Sequence, residues 1–188
     1  MESGEITAGT LLIASPTLRD PNFARTVVLL CEHTDTGSMG LVVNRPTTTS
    51  VADVLRGVSQ LPPAEEILYR GGPVQQDILL VLHKLDVIVP GAQPVAAGMA
   101  LGGDMQALVD VLAGTRGPSD RIRVYAGYAG WGEGQLEMEM ATGSWFICPA
   151  TAEIVFDLDP EEAWNAAIRG LGPDYEHLVT MPLDPRVN

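Results

Sequence analysis

The polar residues of this chain that could do chemistry gather where apolar runs stop. Between Gly9 and Pro46 three such runs, Leu11–Ala14, Thr26–Cys31 and Met39–Val43, give way to Asp20-Pro21-Asn22, Glu32-His33 and Asn44-Arg45-Pro46. Arg25 stands just before the second run. If the second and third runs pair as a hairpin, Arg25 meets Asn44 and Arg45 at one end, and His33 lies at the other. Two guanidinium groups and an amide in one place would make an anion clamp, because each guanidinium is a planar fork of donors that fits a carboxylate or phosphate. Local roles compete with this one: Arg25 could pair with Asp20, and Asn44 could cap a turn before Pro46.

His33 follows Glu32 and precedes Asp35. An imidazole beside a carboxylate is suited to general acid or base work, and Glu137 and Asp35 are the carboxylates that could share it. A solvated loop histidine is the plainer alternative. No Gly-x-Ser-x-Gly elbow accompanies His33, so a hydrolytic triad has no support. Gly71-Gly72-Pro73-Val74 follows a strand-like run ending in Tyr69-Arg70. Its glycine amides could hold an anion, or the pair could simply make a tight turn; the Gly-Lys-Ser/Thr ending of a phosphate-binding loop is absent. From Tyr125 to Gln135 small residues alternate with aromatics, ending in Trp131, Glu133 and Gln135. Such a run could line a pocket or pack a crowded core. The candidate ligand-binding set is therefore Arg25, Asn44, Arg45, Gly71, Gly72, Trp131 and Gln135, with His33 and Glu137 as the candidate acid and base.

These residues must be positioned by a framework of short elements. Strand signals lie at Leu11–Ala14, Thr26–Glu32, Gly40–Asn44, Glu66–Arg70, Ile78–His83, Val95–Met99, Ile122–Tyr128 and Ser144–Cys148. His33–Ser38 reads as a longer hairpin loop containing Gly37. Ser50 caps a helix whose face holds Val51, Val54, Leu55 and Val58. Asp104 caps a second helix over Met105–Ala113, stopped by Gly114, with Leu108, Val109 and Leu112 facing the core. Asp159 caps the third, with Pro160 in its first turn and Ala163, Trp164, Ala167, Ile168 and Leu171 as its buried stripe, ended by Gly172-Pro173. Gln135–Met140 alternates like a strand, yet its residues are strong helix formers, and a short helix is expected. Asp174–Asn188 reads as an extended tail. The first three strands come without intervening helices, which points to an α+β fold rather than an alternating α/β one.

The 188 residues suit a single domain spanning 1–188, with 46% hydrophobic and 19% charged residues in the range of a soluble globular chain. The net charge of −13, with Lys84 the only lysine, opposes direct nucleic-acid binding and docking on anionic lipid. No apolar run approaches the length of a spanning helix, and the first residues carry two Glu ahead of any Lys or Arg, unlike a secretory leader. A cytosolic protein is expected. Cys31 and Cys148 lie far apart without Cys-x-x-Cys or zinc-ligand spacing, so buried free thiols are expected, with no metal and no cofactor.

Several motifs in order resemble the bacterial YqgE/AlgH family: G-x-L-L-x-A-x-P at Gly9–Pro16, D-P-x-F-x-R-x-V at Asp20–Val27, E-H at Glu32-His33, G-L-V-V-N-R-P at Gly40–Pro46, G-G-P-V at Gly71–Val74 and G-Y-A-G-W-G-x-G-Q-L-E-x-E at Gly127–Glu139, with Trp164 in the final helix. The resemblance implies a mixed, largely antiparallel sheet curling toward a pseudo-barrel, with a few packed helices. It also implies a bacterial cytosolic protein of a family often labelled transcriptional regulators, and it carries over no catalytic residue. The residues favour a non-enzymatic regulatory or binding protein for a small anionic ligand or a protein partner. The alternative is an enzyme using His33 or Glu137 as acid or base on an anionic small molecule.

Overall fold

A computed structural model describes residues 6–55, 66–86, 89–114 and 121–181. Its first two strands, β1 (Thr10–Ala14) and β2 (Val27–Thr34), are buried on both faces along Leu11–Ala14 and Val27–Cys31, which is why those stretches are continuous apolar runs. Leu11, Ile13 and Leu29 enter one core, and Leu12, Ala14, Val28 and Leu30 enter another on the opposite face. β2 turns directly into β3 (Gly37–Val42), and the chain continues through β4 (Pro46–Ser50), helix α1 (Val51–Leu55), β5 (Ile67–Arg70) and β6 (Val74–Lys84). Then follow β7 (Gln93–Ala96), β8 (Met99–Leu101), α2 (Met105–Leu112), β9 (Ile122–Gly132), α3 (Gln135–Ala141), β10 (Trp145–Pro149) and α4 (Pro160–Gly170).

Among the described residues the strands form one sheet in the order β10-β1-β2-β3-β9-β6-β8-β7, with β4 paired to β5 and β5 to β9. The pairings are antiparallel except for β5 with β9. The sheet is mixed and curls into a half-barrel, as the α+β reading expects. The interior is filled by Leu11, Ile13, Leu29, Leu41, Leu82 and Tyr125 and closed by Trp164, Ala167 and Ile168 of α4. α1 and α2 cover a second core on β5, β6 and β9. α3 covers the third, where Phe23, Trp131 and Trp145 meet with ring centroids 5.6–6.2 Å apart.

The expected caps are present. The Asp104 carboxylate accepts from the Ala107 amide at 2.9 Å, that of Asp159 from Glu161 at 3.0 Å, and the Ser50 hydroxyl from Asp53 at 3.1 Å. Gln135–Met140 is helical, as its residue types favour. In α1, Val54 is exposed rather than part of the buried face, and Val58 lies outside the described residues. In α2, Val109 is only half buried, and Ala107 and Val111 carry the core face with Leu108 and Leu112.

Other expectations need correction. His33–Ser38 is not a longer loop: the ladder runs out to Thr34 opposite Gly37, leaving Asp35-Thr36 as a tight turn, and His33 sits in the strand. The extension needs glycine at 37, where a Cβ would lie 2.5 Å from the Trp131 carbonyl oxygen. Val95–Met99 is not one strand. The chain reverses at Ala97-Gly98, with Gly98 at φ +76°, so that β7 and β8 pair with each other. β4, a Thr-rich edge segment without apolar alternation, and a wide helical turn over Glu153–Asp157 were not anticipated. The segment expected as an extended tail instead winds into a tight helix over Pro173–Thr180, packing Tyr175, Leu178 and Val179 on the interior core; residues 182–188 lie outside the described set.

Candidate functional site

Pairing β2 with β3 brings the strand-end residues together as their spacing suggests. Asn44 ties the hairpin's open end: its Oδ1 accepts from the Val27 amide at 2.9 Å, and its Nδ2 donates to the Arg25 carbonyl at 3.0 Å. Arg45 Nη2 donates to the Ala24 carbonyl at 2.6 Å. Asn44 is thus a cross-strand tie rather than the cap of a turn before Pro46. Arg25 does not pair with Asp20, which instead accepts from the Asn22 amide at 2.8 Å. The Arg25 guanidinium lies 4.6 Å from the Trp164 ring centroid and donates from Nη2 to the Met181 carbonyl.

Two cavities open on either side of Arg45. The first, about 350 Å³, is lined by Asn22, Arg45, Thr48, Arg70 and Gly72 among proline walls. Among its described lining residues there is no carboxylate. β4–β5 pairing sets the two arginines side by side, with the Arg70 amide donating to the Arg45 carbonyl at 2.8 Å. The Arg70 side chain is exposed, and among the described residues nothing pairs with its guanidinium. The second cavity, about 570 Å³, is lined by Arg25, Asn44, Arg45, Glu161, Trp164 and Asn165. Chemically the first is a place for an anion. Two guanidinium groups supply donors and positive potential, and the Thr48 hydroxyl and Asn22 amide supply neutral partners.

The glycine pair divides its work. Gly71 is a packing device: its amide donates to the Ala126 carbonyl at 2.9 Å, its carbonyl accepts from Val42 at 2.8 Å, and a Cβ there would lie 2.2 Å from the Gly127 carbonyl oxygen. Gly72 lines the first cavity, and a Cβ there would meet the Tyr128 carbonyl carbon at 2.1 Å. Trp131 and Gln135 are placed elsewhere. The Glu139 Oε2 accepts from Trp131 Nε1 at 3.0 Å and Trp145 Nε1 at 2.8 Å, and Gln135 spans the Gly132 amide and Glu139.

His33 and Glu137 do come together, at 3.6 Å between Nε2 and Oε1, and His33 Nδ1 also meets the Ser38 hydroxyl at 2.7 Å. This trio ties α3 to the hairpin at its turn end. Ser38 and Arg45 are seven residues apart along extended chain, roughly 20 Å at strand rise, so the trio is remote from the arginine cavities. Among the described residues no group of three His, Cys, Asp or Glu could hold a metal. Both thiols are free, and burial pushes the Cys31 thiol up to about 12 and raises that of Cys148.

Sequence reasoning missed Arg70, Asn22 and Thr48 as cavity residues. The Tyr69-Arg70-Gly71-Gly72 junction carried a signal for Arg70, and the Asp20-Pro21-Asn22 cluster one for Asn22. Thr48 carried none, because β4 itself was invisible.

Comparison with known proteins agrees with this architecture. The AlgH-like family model matches residues 11–176. A UPF0301 protein of Chlorobaculum tepidum is 38% identical over 180 residues, covering 96% of this chain and 95% of its own. One of Cytophaga hutchinsonii is 39% identical over 184 residues, covering 97% and 100%. The solution structure of the AlgH protein from Pseudomonas aeruginosa matches with TM-score 0.75 at 39% identity, covering 97% of this chain and 98% of that one. The crystal structure of protein DIP2367 from Corynebacterium diphtheriae matches with the same TM-score at 25% identity, covering 96% and 95%. By the extent of the family match and the identity of these relatives, the chain belongs to the AlgH-like, UPF0301 family.

Proposed function

We propose that this chain is a cytosolic, non-enzymatic binding protein whose ligand is a small anion held between Arg45 and Arg70. One observation carries the reading. A chain of net charge −13 places two of its few cations side by side in a cavity whose described lining has no carboxylate, and one of them, Arg70, has no partner for its guanidinium among the described residues. An unpaired guanidinium at a cavity wall contributes little to stability, whereas it recognises phosphate or carboxylate well. Any regulatory role then runs through the ligand or a protein partner, since the net charge opposes association with nucleic-acid phosphates. His33 and Glu137 are too remote from this cavity to act as acid or base on its occupant.

Calorimetry and amide NMR with inorganic phosphate and small carboxylates test the proposal. Saturable binding with shifts at Asn22, Thr48 and Gly72 is expected. Arg70→Gln should weaken it about tenfold or more, since a charge-assisted hydrogen bond contributes about 1.5–3 kcal/mol. Absence of saturable binding, or an Arg70→Gln variant that binds as wild type, would refute it.

A further inference from the structure

The second cavity extends this site. Arg25 is one of two non-glycine residues among those described with a left-handed backbone, at φ +54°. That conformation costs an L-residue about 1–2 kcal/mol, and it is fixed by Asn44 gripping the Arg25 carbonyl. The result swings the guanidinium over Trp164 at the wall of the second cavity. Its Nε is shielded from the cavity and has no hydrogen-bond partner among the described residues, so the guanidinium can meet an occupant only through its other nitrogens. Strain and a cation over an aromatic face thus coincide at one residue of a cavity wall. Strain of this kind clusters at ligand clamps.

Arg45 lines both cavities. Two separate anions on either side of it would repel each other and each would bear its own cost of immobilisation. A single ligand with both charges meets that cost once, because the second contact becomes intramolecular. We infer that the ligand is an elongated small molecule with an anionic group at each end, one held by Arg70 and Arg45 and the other by Arg25. This rests on the anion-binding reading above. Glu161, at the rim of the second cavity, weakens the second contact and so limits its strength.

The test compares fructose 1,6-bisphosphate with fructose 6-phosphate by calorimetry on the full chain. The bisphosphate should bind about tenfold or more tightly. Arg25→Gln should abolish that advantage. Glu161→Gln should enlarge the advantage severalfold, and because Glu161 is exposed this arm remains informative if Arg25→Gln fails to fold after losing its Met181 contact. Equal binding of the two sugars by a wild type that binds the monophosphate would overturn the two-ended ligand and leave the anion site standing. An advantage that survives in a folded Arg25→Gln, or one that Glu161→Gln leaves unmoved, would also overturn it. Binding of neither sugar, nor of inorganic phosphate, would overturn both readings.

Discussion

Asn44→Ala should be among the more damaging substitutions outside the apolar core, and the reason can be worked from two hydrogen bonds. Oδ1 serves the amide of fully buried Val27, and Nδ2 serves the Arg25 carbonyl, which the left-handed backbone leaves outside any ladder. Truncation orphans one buried donor and one partly buried acceptor. At about 1–3 kcal/mol for each unsatisfied group, with the acceptor toward the low end because solvent reaches it, the loss is about 3 kcal/mol. For a chain of this size that lowers Tm by roughly 6–12 °C. Thermal melts and urea titrations measure it. Asn44→Asp separates the two bonds differently: it keeps the acceptor for Val27 but sets a carboxylate oxygen against the Arg25 carbonyl oxygen, so it should also destabilise, and less as pH falls and the carboxyl can be protonated to donate.

The same substitution has a second readout. Arg25 and Arg45 both depend on the segment that Asn44 anchors, so phosphate affinity should fall in Asn44→Ala at temperatures where the protein is still folded. Arg70→Gln should do the opposite, leaving Tm within about 2 °C while affinity falls, as expected for an exposed side chain whose guanidinium has no partner among the described residues. A loss of less than about 1 kcal/mol in Asn44→Ala, or a Tm drop in Arg70→Gln matching it, would show that the division between anchoring and binding residues is wrong.

Three further outcomes are expected. Gly71→Ala should destabilise by several kcal/mol or prevent folding, because its Cβ would lie 2.2 Å from the Gly127 carbonyl oxygen and neither strand can retreat without breaking the ladder; soluble yield and urea midpoint report it. Glu139→Ala should cost about 2–4 kcal/mol by orphaning the Trp131 and Trp145 indole donors, with a red shift of tryptophan emission as water reaches them. Burial holds the Cys31 thiol at about 12, against an ordinary 9.0 in the unfolded chain. The folded state therefore keeps this proton longer than the unfolded one. Its contribution is fully present below pH 9 and is lost as pH rises towards 12, so wild type should lose more stability over that interval than Cys31→Ala in urea titrations.

How much of this was legible in the sequence depends on whether local or distant partners decide. The caps at Ser50, Asp104 and Asp159 act over three residues, so their chemistry is visible without a fold. β1 and β2 announce themselves as unbroken apolar runs. β4 does not, because Pro46–Ser50 holds its place through β5, more than a dozen residues away, and has no apolar face to reveal it. The hairpin turn is hidden for a similar reason. Polar residues from His33 to Ser38 look like loop, but their ladder is completed by β9 on the other side of β3. Asn44, Arg25 and Arg45 could be brought together from sequence because one hairpin relates them. Arg70 could not be added to them, since that step needs the β4–β5 pair.

That contrast bears on which residues to regard as functional. Trp131, Gln135, Gly71 and Asn44 stand out in sequence, yet each has its polar groups or its missing side chain fully accounted for by packing. A residue needed for architecture is conspicuous whether or not it binds anything. Arg70 is inconspicuous, and nothing in the described architecture needs its guanidinium. A cation on an acidic protein that stands at a cavity and supports nothing is better evidence of a ligand than a motif residue that supports the sheet.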